Sequence, residues 1–449
     1  MPEPIISVSG LRGIVGSELT PAVAMRYVAA FCSTLPKGKV IVGRDGRSSG
    51  PMLSRAVAAT LMGHGMTVLD ADAISTPSLG VLVRAQQAVA GIQISASHNP
   101  PAYNGLKLFN QQGRVIPAAE GTKILAAYTN QQTQWKATDG LGSYLQVSNP
   151  HRPHLDTVLK TVNRDRITNR KFRVLLDSNH GAGALLGRTL LESLGCQFTI
   201  LGEEPNGLFA HPPEPLAGNL TMVSAAMKKG DFDIGFCQDP DADRLAVIDE
   251  NGRYIGEEFT SVLCVYHRLE QEPGPIVTNC ASSSMTAWLA QKYGVPYSRS
   301  KVGEANVVDK MLAISAIYGG EGSGGPIDPR VGYVRDSFVG MAQILDLMAA
   351  QSLPISDIVA KLPTWTMIKD KMQFSDSQLA KSIDLLQRSL QATQVDTEDG
   401  VRLDWKDRWL LLRGSNTEPI VRLIAEAPTE KEALELIEKA KSILNTPST

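Results

Sequence analysis

Short apolar runs rich in β-branched residues alternate along the chain with longer segments of helical period. This alternation is typical of βαβ units, in which buried parallel strands are connected by helices. Near the N-terminus it predicts strands at Lys39–Gly43, Met66–Leu69 and Ala90–Ile94 and a helix at Ser54–Gly63. The polar stretch at 130–149 contains two glycines and predicts a linker to a second unit.

The same alternation continues beyond the linker. It predicts, in chain order, helix Leu155–Val162, strands Phe172–Leu176, Asp233–Phe236, Leu245–Ile248 and Pro275–Thr278, helix Ser284–Lys292, a glycine-rich loop at 319–325, strands Trp409–Arg413 and Ile420–Ala425, and helix Glu430–Leu444. We therefore expect four tandem domains at 1–150, 151–254, 255–363 and 364–449. The sequence shows no fixed-period repeat.

Composition narrows the class of protein. The 449 residues are 43% hydrophobic and 20% charged, which suits a folded globular chain and excludes widespread disorder. A net charge of −2 excludes a surface that is basic throughout, so we expect neither nucleic acid nor membrane as a partner. No run of 18 apolar residues occurs, and the five cysteines form no CxxC pair. We expect reduced thiols and a cytoplasmic protein.

Three aspartates alternate in the segment QDPDADR, at positions 239, 241 and 243. In an extended segment their side chains point to one side, where like charges repel unless a cation lies between them. Oxygen ligands alone suit Mg²⁺. An EF-hand calcium loop is the alternative, but Arg244 stands where that loop needs glycine. A solvated acidic turn is the other alternative.

A serine-rich loop follows the strand that ends at Ile94, in the segment SASHNPP. The prolines prevent a helix, so the Ser97 hydroxyl is expected at the carboxyl end of the strand, where α/β proteins place their sites. Ser97 is a candidate nucleophile or phosphate carrier, with His98 and Lys107 as nearby groups to activate it. The alternative is an ordinary Ser/Thr turn without chemistry.

Two further loops combine arginine with glycine. Arg12 lies in SGLRGIVG, where exposed backbone N–H groups and a guanidinium suit an anion. Arg413 begins RGSNTEP, between two apolar strands. That loop also carries the polar side chains of Ser415, Asn416 and Thr417. It can grip a phosphate that is positioned but not cleaved, although a solvated arginine and a hairpin turn have similar sequences.

Two other glycine-rich segments differ in chemistry. In GGEGSGG, Glu321 and Ser323 suit hydrogen bonding to the hydroxyls of a sugar, whereas the alternative is a flexible lid. The turn Asn179–Gly183 has part of a dinucleotide-binding pattern, but its third glycine is misplaced. We interpret that turn as a structural helix start and not as a nicotinamide site.

Taken together, these motifs resemble the α-D-phosphohexomutase superfamily over nearly the whole chain. The matching segments, in the family's order, are SGLRG, SASHNP, DPDADR, GEGSGG and RGSNTEP. The resemblance implies a heart-shaped enzyme of four domains. Three related α/β domains and a smaller α+β C-terminal domain would surround a central cleft.

The resemblance also implies roles for individual residues. Ser97 would be phosphorylated and would complete a Mg²⁺ site with Asp239, Asp241 and Asp243. The transfer site would be lined by Arg12, His98, Lys107 and Arg244. Sugar hydroxyls would bind Glu321 and Ser323, and the non-reacting phosphate would bind Arg413, Ser415, Asn416 and Thr417. A hexose 1,6-bisphosphate would act as activator, and Lys107, with His98 as second choice, would move the hydroxyl proton.

The substrate follows less directly from these motifs. Gly325 stands where bacterial phosphoglucosamine mutases have histidine, and Asn416 stands where they usually have glycine. The GEG-x-GG loop is more similar to the archaeal-type branch, often assigned to glucosamine phosphate. We expect a small phosphosugar substrate, favour glucosamine phosphate over mannose or glucose phosphate, and expect a monomer or homodimer. A phosphosugar sensor without turnover is the alternative of another class.

Overall fold

The fold is described by a computed structural model over residues 4–7, 10–131, 133–373, 376–414 and 420–445. Along these residues the chain forms four sheets in succession, with seven, four, four and five strands. The predicted succession of three α/β domains and a C-terminal α+β domain is therefore confirmed. The residue boundaries proposed for the domains stay predictions.

The first two domains contain most of the strands. The first comprises β1 (Ile5–Ser7), β2 (Gly10–Ile14), α1 (Pro21–Cys32), β3 (Lys39–Arg44), α2 (Gly50–Gly63), β4 (Thr67–Ala73), α3 (Thr76–Ala85), β5 (Ala90–Ile94), β6 (Tyr103–Asn110), α4 (Ala118–Thr129) and β7 (Tyr144–Gln146). The second comprises α5 (Arg152–Leu159), α6 (Arg164–Arg170), β8 (Arg173–Asp177), α7 (Gly183–Ser193), β9 (Gln197–Leu201), α8 (Thr221–Lys229), β10 (Ile234–Gln238) and β11 (Leu245–Ile248).

The last two domains follow without a long linker. The third comprises α9 (Glu257–Gln271), β12 (Ile276–Asn279), α10 (Met285–Lys292), β13 (Tyr297–Ser300), α11 (Glu304–Ile314), β14 (Tyr318–Glu321), β15 (Gly325–Ile327), α12 (Ser337–Gln351) and α13 (Ile355–Val359). The fourth comprises β16 (Thr366–Gln373), α14 (Asp376–Ser389), β17 (Gln394–Asp396), β18 (Val401–Asp404), β19 (Trp409–Gly414), β20 (Ile420–Ala427) and α15 (Glu430–Asn445).

One connectivity recurs in the first three sheets. The strands run in the spatial orders β4-β3-β5-β6, β9-β8-β10-β11 and β13-β12-β14-β15. In each set the first three strands of the chain are parallel and the fourth pairs antiparallel with the third. The turn between the third and fourth strands carries, in order, the Ser97 loop, the aspartate loop and the Glu321 loop. The repeat thus brings three candidate site loops to equivalent places.

Local sequence explains the shared scaffold. The central strand β3 is buried on both faces, as its run Val40, Ile41 and Val42 requires. Helix α1 begins at Pro21 behind Thr20, whose side chain accepts a hydrogen bond from a backbone N–H of the first turn.

Two sequence-based expectations are wrong. The segment 130–149 is not a free linker, because β7 pairs in parallel with β4 at the edge of the first sheet. The segment 319–325 is mostly strand, since β14 and β15 leave only a short turn between them. Its glycines are needed for packing: a Cβ at Gly319 would lie 2.3 Å from the sulfur of Met311.

A buried polar chain joins the first three domains. The imidazole of His154 lies 2.7 Å from a carboxylate oxygen of Asp336 and 2.8 Å from the Ser78 hydroxyl. A carboxylate only accepts, so the Nε2 of His154 carries the proton and Nδ1 accepts from Ser78. Ser78 lies in α3, His154 in α5, and Asp336 caps α12.

The five cysteines are free thiols, and all lie in described parts of the chain. Among the described helices, none combines the length and the apolar character needed to cross a bilayer.

Candidate active site

The Ser97 side chain lies at the junction of the first and second domains. Ser97 is only 3% exposed, and its hydroxyl donates a hydrogen bond of 2.7 Å to Oδ2 of Asp239. Nδ1 of His98 lies 3.3 Å from the same hydroxyl. Ser97 has φ of 49°, in the left-handed region that is unfavourable for residues other than glycine. The surrounding structure therefore has to hold this turn.

Arg47 provides that support. Its buried guanidinium donates to four carbonyl oxygens of the loop, those of Ser97, Asn99, Pro100 and Tyr103. Its Nε donates to the carboxylate of Asp45, which also accepts a hydrogen bond from the Ser95 hydroxyl. The sequence analysis missed this residue. The polar pair Asp45 and Arg47, directly after a buried strand, was the available signal.

The three aspartates at 239, 241 and 243 converge as predicted, but by a different geometry. Asp239, Asp241 and Asp243 are each 0% exposed, and one oxygen from each lies within 4.8 Å of the others. The segment is a turn and not an extended strand, because Ala242 adopts a left-handed conformation with φ of 56°. The turn thus brings the three carboxylates to one side, which the alternation of aspartates in an extended segment was expected to do.

In Asp241 and in Asp243, one carboxylate oxygen accepts hydrogen bonds and the other has no partner among the described residues. Oδ2 of Asp241 accepts from Thr76 and, at 2.6 Å, from Lys107. Oδ2 of Asp243 accepts from Lys107 at 2.9 Å and from Arg335 at 2.6 Å. The Oδ1 atoms of both aspartates are buried without a hydrogen-bond partner among the described residues. Unpaired, buried carboxylate oxygens are the ligands that a hard divalent cation takes, so these residues fit Mg²⁺.

The charged residues of the site differ in how their surroundings shift their pKa values. Burial and repulsion by Asp241 and Asp243 raise the pKa of Asp239 well above its ordinary value. Burial alone would raise the pKa of Asp243, but Arg335 and Lys107 outweigh it and lower that pKa. For Lys107, attraction to its two aspartates outweighs burial and raises the pKa. Lys107 is therefore an ammonium ion here.

Arg12 and Arg244 add further positive charge to the site. Arg12 donates to the side chain of Asn99 at 2.8 Å. The backbone N–H of Arg244 donates to Asp239 at 3.1 Å, and its Nε is buried without a partner among the described residues. An unpaired guanidinium N–H suits a phosphate oxygen. Burial and the nearby charges of Arg244 and Arg12 lower the pKa of His98 to about 2, so its imidazole is neutral.

Glu321, which is predicted to bind sugar hydroxyls, is held from three sides. Oε1 accepts from the side chain of Asn279 at 2.8 Å and from the N–H of Gly303 at 2.9 Å, and Oε2 accepts from Arg335 at 3.0 Å. Ser323 is half-buried in the adjacent turn. Neither Asn279 nor Arg335 was identified from the sequence, because each lies outside the loop motifs.

The C-terminal phosphate loop is described only at its start. Arg413 donates from Nε to Asp399 at 3.0 Å, and the same Asp399 oxygen accepts from the N–H of Val302 at 2.9 Å. Val302 directly precedes Gly303, so the fourth domain meets the third beside Glu321. The predicted binding residues Ser415, Asn416 and Thr417 lie outside the described residues.

Comparison with known families gives four matches along the chain. The descriptions are phosphoglucomutase/phosphomannomutase alpha/beta/alpha domains I, II and III and the C-terminal domain, at residues 5–135, 152–252, 256–365 and 365–441. Together they cover most of the sequence.

Individual relatives agree with the family matches. A probable phosphoglucosamine mutase from Pyrococcus horikoshii is 30% identical over 98% of this chain and 97% of its own length. A phosphoglucomutase/phosphomannomutase from Thermococcus kodakarensis is 32% identical over 97% of both chains. A solved phosphoglucomutase/phosphomannomutase family protein from Burkholderia thailandensis superposes with a TM-score of 0.87 at 27% identity, over 99% of this chain and 98% of that one. With the site described above, these matches show that the chain belongs to the phosphoglucomutase/phosphomannomutase family of phosphohexomutase enzymes.

Proposed function

We propose that this enzyme interconverts hexose 6-phosphate and hexose 1-phosphate through phosphorylated Ser97, with glucosamine phosphate as the favoured substrate. The observation that supports this most directly is the hydrogen bond of 2.7 Å between the Ser97 hydroxyl and Asp239. It places a phosphorylatable oxygen in a buried triad that has two unpaired carboxylate oxygens. Binding of a phosphosugar alone would require neither feature.

Ser97, Asp239, Asp241 and Asp243 are the residues that would hold Mg²⁺. When bound, the ion would offset the charge of the phosphoryl group and of the carboxylates, which would lower the pKa of Lys107 toward that of a base. Arg12 and Arg244 would bind phosphoryl oxygens, and this role is supported by the Nε of Arg244, which is buried without a partner among the described residues.

In the transfer step, the bond between phosphorus and the Ser97 oxygen breaks as a bond to a sugar hydroxyl oxygen forms. The hydroxyl proton goes to Nζ of Lys107 in our proposal, which must be a neutral amine when it takes that proton; an imidazole with a pKa of about 2 is a weak base near neutral pH. His98 remains the second choice. The bisphosphorylated sugar then turns over and returns its other phosphoryl group to Ser97.

The phosphate that does not react would be held by Arg413 with Ser415, Asn416 and Thr417. Glu321 and Ser323 would bind the sugar hydroxyls between the two phosphate positions. Asp399, which binds Arg413, also contacts Val302 of the third domain, next to the Gly303 that binds Glu321, and this supports the order of subsites. Opening of the fourth domain would let the intermediate reorient while it stays in the cleft.

Intact mass spectrometry tests the proposal. Purified protein incubated with glucose 1,6-bisphosphate should gain one phosphoryl group on Ser97 and lose it to excess hexose monophosphate. The variant Ser97→Ala should stay unmodified. A wild-type protein that cannot be phosphorylated contradicts the mutase and favours a phosphosugar sensor.

Glucose and mannose phosphates are the second candidate substrates, because the relative from Thermococcus kodakarensis is named phosphoglucomutase/phosphomannomutase. Comparison of kcat/KM for glucosamine, mannose and glucose phosphates decides between them. Glucosamine phosphate should give the highest value, and a higher value for mannose or glucose phosphate contradicts our choice.

A further inference from the structure

We propose that Arg335 is a positioning residue that fixes the metal-loop carboxylate of Asp243 relative to the sugar-loop carboxylate of Glu321. This inference rests on the proposed function of the two loops. The guanidinium donates from Nη2 to Asp243 at 2.6 Å and from Nη1 to Glu321 at 3.0 Å. Its Nε donates to Glu304, at the start of α11, at 2.9 Å. One planar group thus connects the second and third domains through three carboxylates.

The shape of the group matters as well as its charge. A guanidinium directs its N–H bonds in fixed, coplanar directions, whereas the ammonium of lysine acts as a point charge. With Arg335 and Lys107 both on Oδ2 of Asp243, the carboxylate cannot rotate freely, and its Oδ1 remains the unpaired atom. Arg335 and Lys107 therefore determine together which oxygen of Asp243 is presented to a cation, and Arg335 also binds Glu321.

The sugar loop is built to admit Arg335. A Cβ on Gly325 would lie 2.4 Å from Cδ of Arg335, 2.7 Å from its Cγ and 2.9 Å from its Cβ. Any side chain at position 325 therefore displaces Arg335 as a whole, and not only its tip. Glycine at this position and arginine at 335 are structurally linked, which provides a way to move Arg335 without removing its charge.

Loss of this geometry should affect two measurable properties. Mg²⁺ requires nearly ideal octahedral ligands, whereas Ca²⁺ tolerates irregular ones, so an Asp243 held by Lys107 alone should discriminate less between the two ions. Removal of a positive charge alone would strengthen the binding of both ions alike. A change in the ratio of the Mg²⁺ and Ca²⁺ affinities therefore reports the orientation of Asp243 and not the loss of a positive charge. In parallel, loss of the contact between Arg335 and Oε2 of Glu321 should weaken binding of the sugar.

The test compares Arg335→Met, Arg335→Lys and Gly325→Ala in the full chain. Mg²⁺ and Ca²⁺ affinities are measured by isothermal titration calorimetry, and KM and kcat are measured with a hexose phosphate at saturating Mg²⁺. Arg335→Met should shift the affinity ratio toward Ca²⁺ on the order of 10-fold and raise KM. Arg335→Lys keeps the positive charge but should not restore the wild-type ratio of the two affinities. Gly325→Ala should shift this ratio toward Ca²⁺ although the arginine is retained.

The matched control is Arg330→Met. Arg330 lies in the same segment and also binds a buried aspartate, but its partners are Asp328 and Gln271. Arg330→Met should lower the stability of the protein and leave the ratio of the Mg²⁺ and Ca²⁺ affinities and the KM unchanged. An unchanged ratio and KM in Arg335→Met, or full recovery in Arg335→Lys, overturns the positioning role. A wild type that binds both ions but converts no hexose phosphate contradicts the proposed function instead, while the ion comparison for Arg335 still stands.

Discussion

The guanidinium of Arg47 donates a hydrogen bond of 2.7 Å to the carbonyl oxygen of Ser97. It thereby holds in place a residue whose left-handed backbone costs roughly 1–3 kcal/mol by itself. The other carbonyl contacts of Arg47 close the loop around the same group. The position of the Ser97 hydroxyl thus depends on a side chain that does not touch the reacting atoms.

Replacement of Arg47 by methionine should lower kcat on the order of 10²-fold, since small displacements of a reacting group have effects of this size. It should also lower the free energy of unfolding by about 3–5 kcal/mol, because Asp45 stays buried without its cation. Both are measured by steady-state kinetics and urea unfolding. The exposed Arg55→Met is the control. Full phosphorylation and turnover of folded Arg47→Met would contradict this role.

Asp241→Asn removes one charge from the triad but preserves its shape. We expect a loss of rate on the order of 10²-fold, comparable to the loss of one preorganised electrostatic contact. The rate is measured as a function of Mg²⁺ concentration, and the variant should need more Mg²⁺ for half-maximal activity. Asp231→Asn, an exposed aspartate of the same domain, should behave as wild type. An unchanged rate of Asp241→Asn at low Mg²⁺ would count against the metal site.

Thr76→Val removes the hydroxyl that α3 donates to Asp241 and leaves that carboxylate oxygen with Lys107 alone. Because orienting contacts of this kind contribute about 10–100-fold to metal affinity, Mg²⁺ affinity should fall by at least about 10-fold. Calorimetric titration measures it. Thr60→Val deletes a buried hydroxyl that bonds a carbonyl within helix α2 and should leave the affinity unchanged. Equal Mg²⁺ affinities in both variants would refute the orienting role of Thr76.

Glu258 gives a pH dependence of stability. Burial raises its pKa to about 7, above the ordinary value of 4.5, so the folded state holds a proton that the unfolded state releases between these values. Stability from this group is complete below about pH 4.5 and is lost as the pH rises through 7. Glu258→Gln should therefore match wild type near pH 5 and be more stable at pH 8, by on the order of 3 kcal/mol. Urea unfolding at both pH values measures this. A stability difference that is the same at pH 5 and pH 8 would contradict the shift.

Arg413→Ala should weaken the binding of hexose monophosphate by roughly 10–100-fold, the contribution of a hydrogen bond to a charged group. Phosphorylation of Ser97 by saturating glucose 1,6-bisphosphate should be retained. Arg408→Ala, whose partners are Asp407 and Glu432, is the control and should not change KM. If wild-type protein bound glucosamine as tightly as glucosamine 6-phosphate, no phosphate clamp would exist.

The loops could be predicted from the sequence because each carries its chemistry within a few consecutive residues. The Ser97, aspartate and Glu321 loops were identified in this way, and the strands before them follow from their buried apolar runs. The repeated connectivity of the three sheets was not visible. It depends on strand order and hairpin pairing, which the three domains share while their side chains differ.

Residues that act through partners distant in the sequence were missed for a related reason. Thr76, Arg47 and Arg335 lie in segments without a motif, and their role depends on which atoms the fold brings within hydrogen-bond distance. The geometry of the aspartate turn could not be predicted from the sequence either. Its oxygens converge because Ala242 adopts φ of 56°, and a pattern of alternate residues carries no information about that torsion.

His154 has further consequences for motion. Both of its nitrogens are committed, one to the first domain and one to the third, so a rotation between any two of these units would break a hydrogen bond that water cannot replace. The junction of the third and fourth domains is buried in part as well: Cys280 packs against Trp409, Leu411 and Ile424, and Arg402 donates a buried hydrogen bond to the carbonyl oxygen of Cys280. Opening of the fourth domain, as proposed above, would accordingly have to separate this apolar cluster, whereas the first three domains could keep the hydrogen bonds of His154.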